Sequence, residues 1–172
     1  MNGHMRKIIL GIDPGTHITG YGLIAVEGRR KLSVIDYGCI RPPLKESLAV
    51  RYKIIFRALE TLIEKYAPEA VAVEAQYIYK NPQSGLKLGM ARGVAVLAAS
   101  LREIPVFEYA PSRAKKAVVG NGRASKIQVQ SMVQKLLCLN ELPQPEDAAD
   151  ALALAICHSQ AFTLGILNVR IL

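Results

Sequence analysis

Residues 7–15 of the chain read Lys7-Ile8-Ile9-Leu10-Gly11-Ile12-Asp13-Pro14-Gly15. A short apolar run bounded by turn residues predicts a buried strand. Asp13 stands where this strand ends, and the Pro-Gly dipeptide after it suits the two central positions of a type II turn. A purely structural role, in which Asp13 accepts hydrogen bonds within that turn, explains an acid at this position about as well as a functional role does. Nearby glycines favour a function, because they let backbone or a phosphate approach the strand end: Gly11, Gly15, Gly20 and Gly22.

Outward from this stretch, hydrophobic periodicity predicts further strands and helices. The strands are Lys7–Ile12, Thr19–Val26, Lys31–Ile40, Ala70–Glu74 and Val106–Tyr109, and the helices are Leu48–Tyr66, one after Pro82, Ser112–Val119, one capped by Ser125, and Glu146–Phe162. The first three strands can form an antiparallel meander, whereas the last two require crossovers and should run parallel. The expected fold class is therefore α/β, with a five-stranded mixed sheet flanked by helices.

The helix after Pro82 carries an apolar stripe at helical spacing. Its members are Leu86, Met90, Gly93, Val94, Leu97 and Leu101. Gly89 and Gly93 lack side chains, which lets another backbone come close. We therefore expect this helix to be packed tightly against a neighbouring element.

Three further acidic residues occupy positions related to that of Asp13. Glu74 ends an otherwise apolar strand, where an ionised carboxylate is costly to bury unless a metal or a salt bridge satisfies it. Asp147 and Asp150 share one face at the start of an alanine-rich helix. They could simply favour the helix dipole, but on a face packed against the sheet they would need cations.

Converging carboxylates point to a metal-dependent phosphate chemistry. Mg²⁺ is the usual cation for such oxygen ligands, and Mn²⁺ is an alternative. Two ions held ~4 Å apart by four carboxylates would support in-line attack of water on a phosphodiester. His158 would lie about 12 Å along the helix from Asp150 and resembles a packing residue more than a ligand. His17 lies close to the Asp13 turn in sequence, but this spacing does not indicate a role for it.

Positive charge is concentrated in one part of the chain. The protein carries a net charge of +8, and residues 75–140 hold ten Lys and Arg against two acids, Glu103 and Glu108. The candidate DNA contacts in this basic segment are Lys80, Lys87, Arg92, Lys115, Lys116, Arg123 and Lys126. A solvated basic surface without a ligand is the alternative. The segregation of this charge from the four acids favours a nucleic-acid substrate.

The remaining composition excludes several classes of protein. Half the residues are hydrophobic, which argues against disorder. No apolar run approaches the ~20 residues that a membrane span needs, so we expect no membrane partner. The three cysteines, Cys39, Cys138 and Cys157, are odd in number and form no C-x-x-C pair, which indicates buried thiols in a reducing cytoplasm. Residues 1–4 are expected to be left over from cloning, with Met5 as a plausible native start.

In its ordered motifs the chain resembles the RuvC-type Holliday junction resolvases, bacterial endonucleases with a ribonuclease-H-like fold. The matching stretches are Ile9–Gly15 with Thr19–Gly22, Val73-Glu74, Lys80-Asn81, Leu86–Gly89, Ala91–Gly93, Phe107–Ala110, Val118–Gly120, Gln128–Gln130 and Asp147–Ala153. They occur in the family's order, which makes the resemblance specific. It implies one ribonuclease-H-like nuclease domain over residues 5–160, followed by a C-terminal tail over residues 161–172.

The resemblance also implies roles for individual residues and partners. Asp13, Glu74, Asp147 and Asp150 correspond to the family's metal-binding catalytic acids. Lys115 and Lys126 match basic residues near the scissile phosphate, and Tyr77 falls where an aromatic residue contacts bases at the opened crossover. The implied assembly is a homodimer that binds four-way junction DNA and makes paired cuts, with a branch-migration helicase complex as its partner in the bacterial cytoplasm.

The chain departs from the family pattern at two positions. Ala75 replaces a polar residue, commonly Gln, and Tyr replaces Phe at Tyr77. Three other functions remain open from the residues: an actin-like ATPase, which needs two domains, a non-catalytic DNA-binding module, and a ribonuclease-H-like nuclease acting on another nucleic-acid structure.

Overall fold

A computed structural model describes residues 6–28, 31–75, 82–163 and 170–172. The strands are β1 (Lys7–Asp13), β2 (Thr19–Glu27), β3 (Lys31–Ile40), β4 (Ala70–Glu74), β5 (Val106–Tyr109) and β6 (Arg170–Ile171). The helices are α1 (Leu48–Tyr66), α2 (Pro82–Ser100), α3 (Pro111–Val119), α4 (Lys126–Leu136) and α5 (Glu146–Thr163). No helix in these ranges is long and apolar enough to cross a membrane.

The strands form one mixed sheet in the order β3-β2-β1-β4-β5-β6. β1, β2 and β3 make the predicted antiparallel meander, and β4 and β5 run parallel to β1. The α/β class with a mixed sheet is therefore confirmed, and all five predicted strands are present. The two-residue strand β6 adds a sixth member by pairing antiparallel with β5. Part of the predicted C-terminal tail thus belongs to the sheet.

Strand alternation divides the sheet into two faces. Leu10 and Ile12 of β1 pack in one core with α1 and α2, together with residues such as Leu59 and Ala98. Ile9 lies in a second core with α3, α4 and α5. Because side chains alternate, Gly11 and Asp13 share the face of Ile9. The alternation of side chains along β1 thus directs the Asp13 side chain toward α5.

Glycines allow α5 to lie directly on the strands β1 and β2. A Cβ atom at Gly11 would overlap the carbonyl oxygen of Ala151, and one at Gly20 would overlap the carbonyl oxygen of Asp147. The sequence pattern left open whether backbone or a phosphate fills the space at these glycines. At both positions the backbone of α5 fills it.

The structure contradicts the expectation that α2 packs tightly at its glycines. A Cβ at Gly89 or Gly93 would meet no described atom within 4 Å. The buried face of α2 is instead made of alanines: Ala91, Ala95, Ala98 and Ala99. The large apolar residues of the predicted stripe, Leu86, Met90, Leu97 and Leu101, are between 50% and 66% exposed. Helical spacing grouped these four residues correctly, but it also included Val94, which packs partly against the core, and it could not tell whether this chain covers the stripe.

Candidate active site

Asp13 and Glu74 lie side by side at the ends of two parallel strands. Ile12 of β1 is in register with Val73 of β4, so the next residue of each strand is an acid. On β4, Val71 and Val73 face α1 and α2, whereas Ala72 packs with α5 residues. Glu74 therefore shares the α5 face with Asp13. Register and alternation together bring the two carboxylates to one point.

Helix α5 brings Asp150 to the same point. Asp150 lines a cleft of about 270 Å³ together with Asp13 and Glu74. Asp147 lies one turn earlier, where its backbone covers Gly20 of β2. The negative charge of Asp147 contributes to the raised pKa of the Asp13 carboxyl. The helix thus contributes one acid inside the cleft and one at its β2 side.

Burial, together with the charges of neighbouring acids, disfavours the ionised forms of these carboxylates. Burial, followed by the charges of Glu74, Asp150 and Asp147, raises the pKa of Asp13 to about 8, against the opposing effect of Lys126. Burial and the charge of Asp150 raise the pKa of Glu74 to about 7, although a hydrogen bond with Asp13 lowers it. Burial also raises the pKa of Asp150, and Lys126 and Lys115 lower it. Such shifts are typical of functional sites and of sites that bind cations.

Lys115 of α3 and Lys126 of α4 complete the lining of the cleft. Ser125 caps α4 with a capping box to Gln128, as its position predicted, and this fixes the helix start at Lys126. The Lys126 ammonium forms an ion pair of 2.9 Å with Glu146, which is exposed at the start of α5. Two cations therefore face three acids across one cleft.

The donor set fits a hydrated divalent cation. Within the described ranges, no three Asp, Glu, His or Cys side chains converge closely enough to hold a metal ion unaided. Mg²⁺ does not require such a cage, because it keeps several waters and uses one or two carboxylates together with substrate phosphates. Burial and neighbouring acidic charges raise the pKa values of the adjacent Asp13 and Glu74 carboxyls. A bound cation would offset both effects.

The other predicted DNA contacts differ in their surroundings. Lys87, Lys116 and Arg123 are exposed. Arg92 is engaged in an ion pair with Glu108 of β5 and is only 23% exposed, so a neighbouring carboxylate already balances its charge. Sequence reasoning could not see this pair, because α2 and β5 are joined only in the tertiary structure. Tyr77 and Lys80 lie outside the described residues.

The two histidines near the motifs occupy different environments. His158 is buried, and its Nδ1 lies 2.7 Å from the Tyr109 hydroxyl. Burial lowers its pKa to about 4, so it is a neutral packing residue at physiological pH. His17 is exposed in the turn between β1 and β2.

Sequence reasoning missed Arg51, which holds the turn after Asp13. The Arg51 side chain is buried, and its Nη2 donates to the carbonyl oxygen of Thr16. The Thr19 hydroxyl also stabilises this turn, donating to the Gly15 carbonyl at 2.8 Å and accepting from the Gly15 N–H at 3.2 Å. A single arginine on an amphipathic helix resembles a solvated surface residue, so the sequence carried no signal for this contact.

Comparisons with known proteins identify the family. The model of the family described as crossover junction endodeoxyribonuclease RuvC matches residues 9–158. The chain is 63% identical to the crossover junction endodeoxyribonuclease RuvC of Protochlamydia amoebophila over 155 residues, which cover 90% of this chain and 92% of that protein. It is 54% identical to the Chlamydia felis protein of the same name, over 96% of this chain and all of that protein.

Solved structures agree with the sequence comparisons. The structure of Thermus thermophilus RuvC in complex with a Holliday junction substrate matches with a TM-score of 0.89 and 34% identity, covering 96% of this chain and 99% of that one. A yeast mitochondrial Holliday junction resolvase matches with a TM-score of 0.62 at 17% identity, a likeness that concerns the fold alone. With its ribonuclease-H-like sheet and acids at the strand ends, the chain belongs to the RuvC family of crossover junction endodeoxyribonucleases.

Proposed function

We propose that this protein resolves four-way DNA junctions by metal-dependent hydrolysis of phosphodiesters in recombination and repair, with Asp13, Glu74, Asp147 and Asp150 as its catalytic acids. The observation that carries the proposal is the cleft in which Asp13, Glu74 and Asp150 face Lys115 and Lys126. The family is a family of endonucleases that act on crossover junctions. Carboxylates opposite cations suit a phosphodiester that is attacked beside bound metal.

The four acids would hold Mg²⁺, or Mn²⁺, with two ions in each site. When bound, these ions would activate the attacking water and stabilise the leaving oxygen. Asp13 and Glu74 must both be ionised to hold these ions, and the cations would offset the repulsion between the two carboxylates. Lys115 and Lys126 would orient the phosphate and offset the charge that develops on it. Glu146 must release Lys126 when the phosphate arrives.

The basic segment would bind the arms of the junction. Lys87, Lys116 and Arg123 are exposed cations suited to backbone phosphates. Lys80 joins the proposed set through its place in the basic segment, and Tyr77 through the family resemblance alone. Arg92 is the weakest member, since Glu108 already neutralises it.

Two copies of the chain would form a homodimer through α2. Contiguous exposed apolar patches mark interaction sites, and Leu86, Met90, Leu97 and Leu101 are exposed along α2 and at its end. The open space at Gly89 and Gly93 would let a second α2 approach closely. Two sites related by a twofold axis would account for paired cuts. The proposed cellular partner, a branch-migration helicase complex in the bacterial cytoplasm, rests on the family.

The test compares three substrates with the purified protein and Mg²⁺. We expect rapid paired cleavage of a fixed four-way junction, and little cleavage of a linear duplex or of an RNA–DNA hybrid. Preferential cleavage of the hybrid would indicate a ribonuclease-H-like enzyme with another substrate. Junction binding without cleavage, in both wild type and an Asp13→Asn variant, would indicate a non-catalytic module and overturn the proposal.

A further inference from the structure

The sheet brings a cationic residue, Arg41, to the same end as the acids. The distribution of charge along the chain did not reveal this residue. Arg41 follows β3 directly and lies in the part of the chain whose charges balance. β3 is antiparallel to β2, which is antiparallel to β1. β3 therefore runs parallel to β1, and the chain leaves both strands at the same end of the sheet. Arg41 thus emerges at the end where Asp13 lies.

Register fixes how far Arg41 is from the acids across the sheet. Asp13 is opposite Gly20, and Gly20 is opposite Cys39. Two strand spacings therefore separate Asp13 from Cys39, roughly 10 Å. Directly paired residues share a face, so Cys39 belongs to the α5 face. Arg41 lies two residues beyond Cys39, just past the strand end.

Electrostatics agree with this position. Burial raises the pKa of the Cys39 thiol to about 11, and among the nearby charges Asp147 raises it, Arg41 lowers it and Asp13 raises it. The same thiol therefore senses both the acids and Arg41. Both charges thus act on one thiol, although more than a hundred residues separate Arg41 from Asp147 in the chain.

Arg41 is also available to a ligand. It is exposed, and among the described residues no carboxylate forms an ion pair with it. Arg92 differs in both respects, since it is largely covered and paired with Glu108. An exposed, unpaired guanidinium matches the geometry of a phosphate group.

Lys115 lies on the other side of the acids. Its neighbour Ala114 packs with Tyr109 of β5 and Ala72 of β4, so α3 covers the β4–β5 side of the sheet. Arg41 is at the β3 side, with β1 and β4 between them. A strand whose phosphodiester lies at the acids would pass between cations on both sides. We propose that Arg41 binds a backbone phosphate of the cleaved DNA strand on the β3 side of the acids, opposite Lys115.

This inference rests on the proposed function for its substrate, but binding can test it without cleavage. Anisotropy of a labelled four-way junction would be measured in EDTA at 50–200 mM salt, for wild type, Arg41→Gln and Arg41→Lys. The matched control is Lys31→Gln, because Lys31 lies at the opposite end of β3, pairs with Glu27 and carries the same charge.

We expect Arg41→Gln to weaken junction binding roughly five- to tenfold at 0.1 M salt. The slope of log affinity against log salt should become less steep by about 0.9 for each Arg41 that contacts the junction. Arg41→Lys should keep most of that slope, and Lys31→Gln should match wild type. Thermal melting checks that each variant is folded, and an exposed position should tolerate these changes.

Two results would overturn the inference. One is an Arg41→Gln variant whose affinity and salt slope equal those of Lys31→Gln. The other is unchanged binding with slower cleavage at saturating DNA, which would mean that Arg41 acts on Asp147 and not on a phosphate. Wild type that binds the junction but fails to cleave it with Mg²⁺ would overturn only the proposed function, since the binding comparison would stand.

Discussion

Helices α2 and α5 are alike in sequence but differ in what covers them. They contain 19 and 18 residues, and both are apolar and rich in small side chains. In α5, residues from Ala148 to Cys157 are buried apart from Asp150. In α2 only the alanine face is buried, and the face with leucines and glycines is open. Their apolar sequences predicted that both helices would be buried. Within the described chain, other elements bury α5 but leave one face of α2 exposed.

The position of glycine explains the difference. For α5, the glycines that permit close packing are on the strands, at Gly11 and Gly20, and the helix backbone fills the space above them. For α2, the glycines are on the helix, and nothing in the described chain reaches them. A glycine therefore marks a possible close approach, while the partner must be found in three dimensions. α5 meets the sheet and delivers acids, whereas α2 has a face suited to a second copy.

The largest effect expected from this comparison concerns the acids of α5. Asp150→Asn should reduce the rate of junction cleavage by at least about 10²–10³-fold, because it removes a charge that is preorganised at the reaction site. Junction affinity should be retained. Single-turnover kinetics measure the rate, with the exposed Glu141→Gln as control. An Asp150→Asn enzyme as fast as that control would contradict the role given to α5.

The open face of α2 predicts a large effect on assembly. Leu97→Glu combined with Leu101→Glu should shift the protein from dimer to monomer, with a loss of roughly 3 kcal/mol or more from two leucines that would no longer be buried. Light scattering coupled to size exclusion measures the mass. Leu44→Glu is the control, since Leu44 is exposed outside α2. If wild type is monomeric at all concentrations, this face is not a dimer interface.

A methyl group tests the contact between α5 and the sheet. Gly11→Ala should lower the free energy of unfolding by about 3 kcal/mol, because the added carbon would overlap the α5 backbone at Ala151. Urea unfolding measures this change. In the monomeric Leu97→Glu, Leu101→Glu background, Gly89→Ala should instead stabilise by about 0.5–1 kcal/mol, since the space there is open. Equal effects at the two glycines would refute the contrast.

The smallest effect concerns pH. Asp13 and Glu74 have pKa values raised to about 8 and about 7, from 3.8 and 4.5. The folded protein thus holds more protons than the unfolded chain in this range, so these acids make stability fall as pH rises from about 4 to about 8. In EDTA the melting temperature should decline over this range by a few degrees more for wild type than for Asp13→Asn.

Bound Mg²⁺ should oppose this loss of stability at higher pH. Mg²⁺ binds the ionised carboxylates and releases their protons, so the Mg²⁺ concentration needed for half-maximal stabilisation should fall between pH 6 and pH 8. Differential scanning fluorimetry across a Mg²⁺ series measures it. A midpoint that is independent of pH would show that Asp13 and Glu74 do not give up protons to the ion.

Much of the site was predictable because its residues end apolar strands. Asp13 and Glu74 stand out as charges after buried runs, and Asp150 as a charge on an apolar helix. Arg92 shows the limit: its charge made it a candidate DNA contact, but the sequence could not reveal its ion pair with Glu108 of β5. Arg51 and Arg41 show the converse, because sequence reasoning did not single them out. Neither lies in the basic segment, and only the turn at Thr16 and the register of β3 give them a place near the acids.

The sequence alone predicted five of the described strands, the five described helices and the unusual placement of the acids at the ends of apolar runs. Periodicity reports the local backbone, and a carboxylate at the end of an apolar run is unusual whatever its neighbours are. Only the tertiary structure decided which charges meet, which helix is covered and which cation is free. Contacts such as that between Gly11 and Ala151 join residues far apart in the chain. Their energies depend on packing and register, which no local pattern encodes.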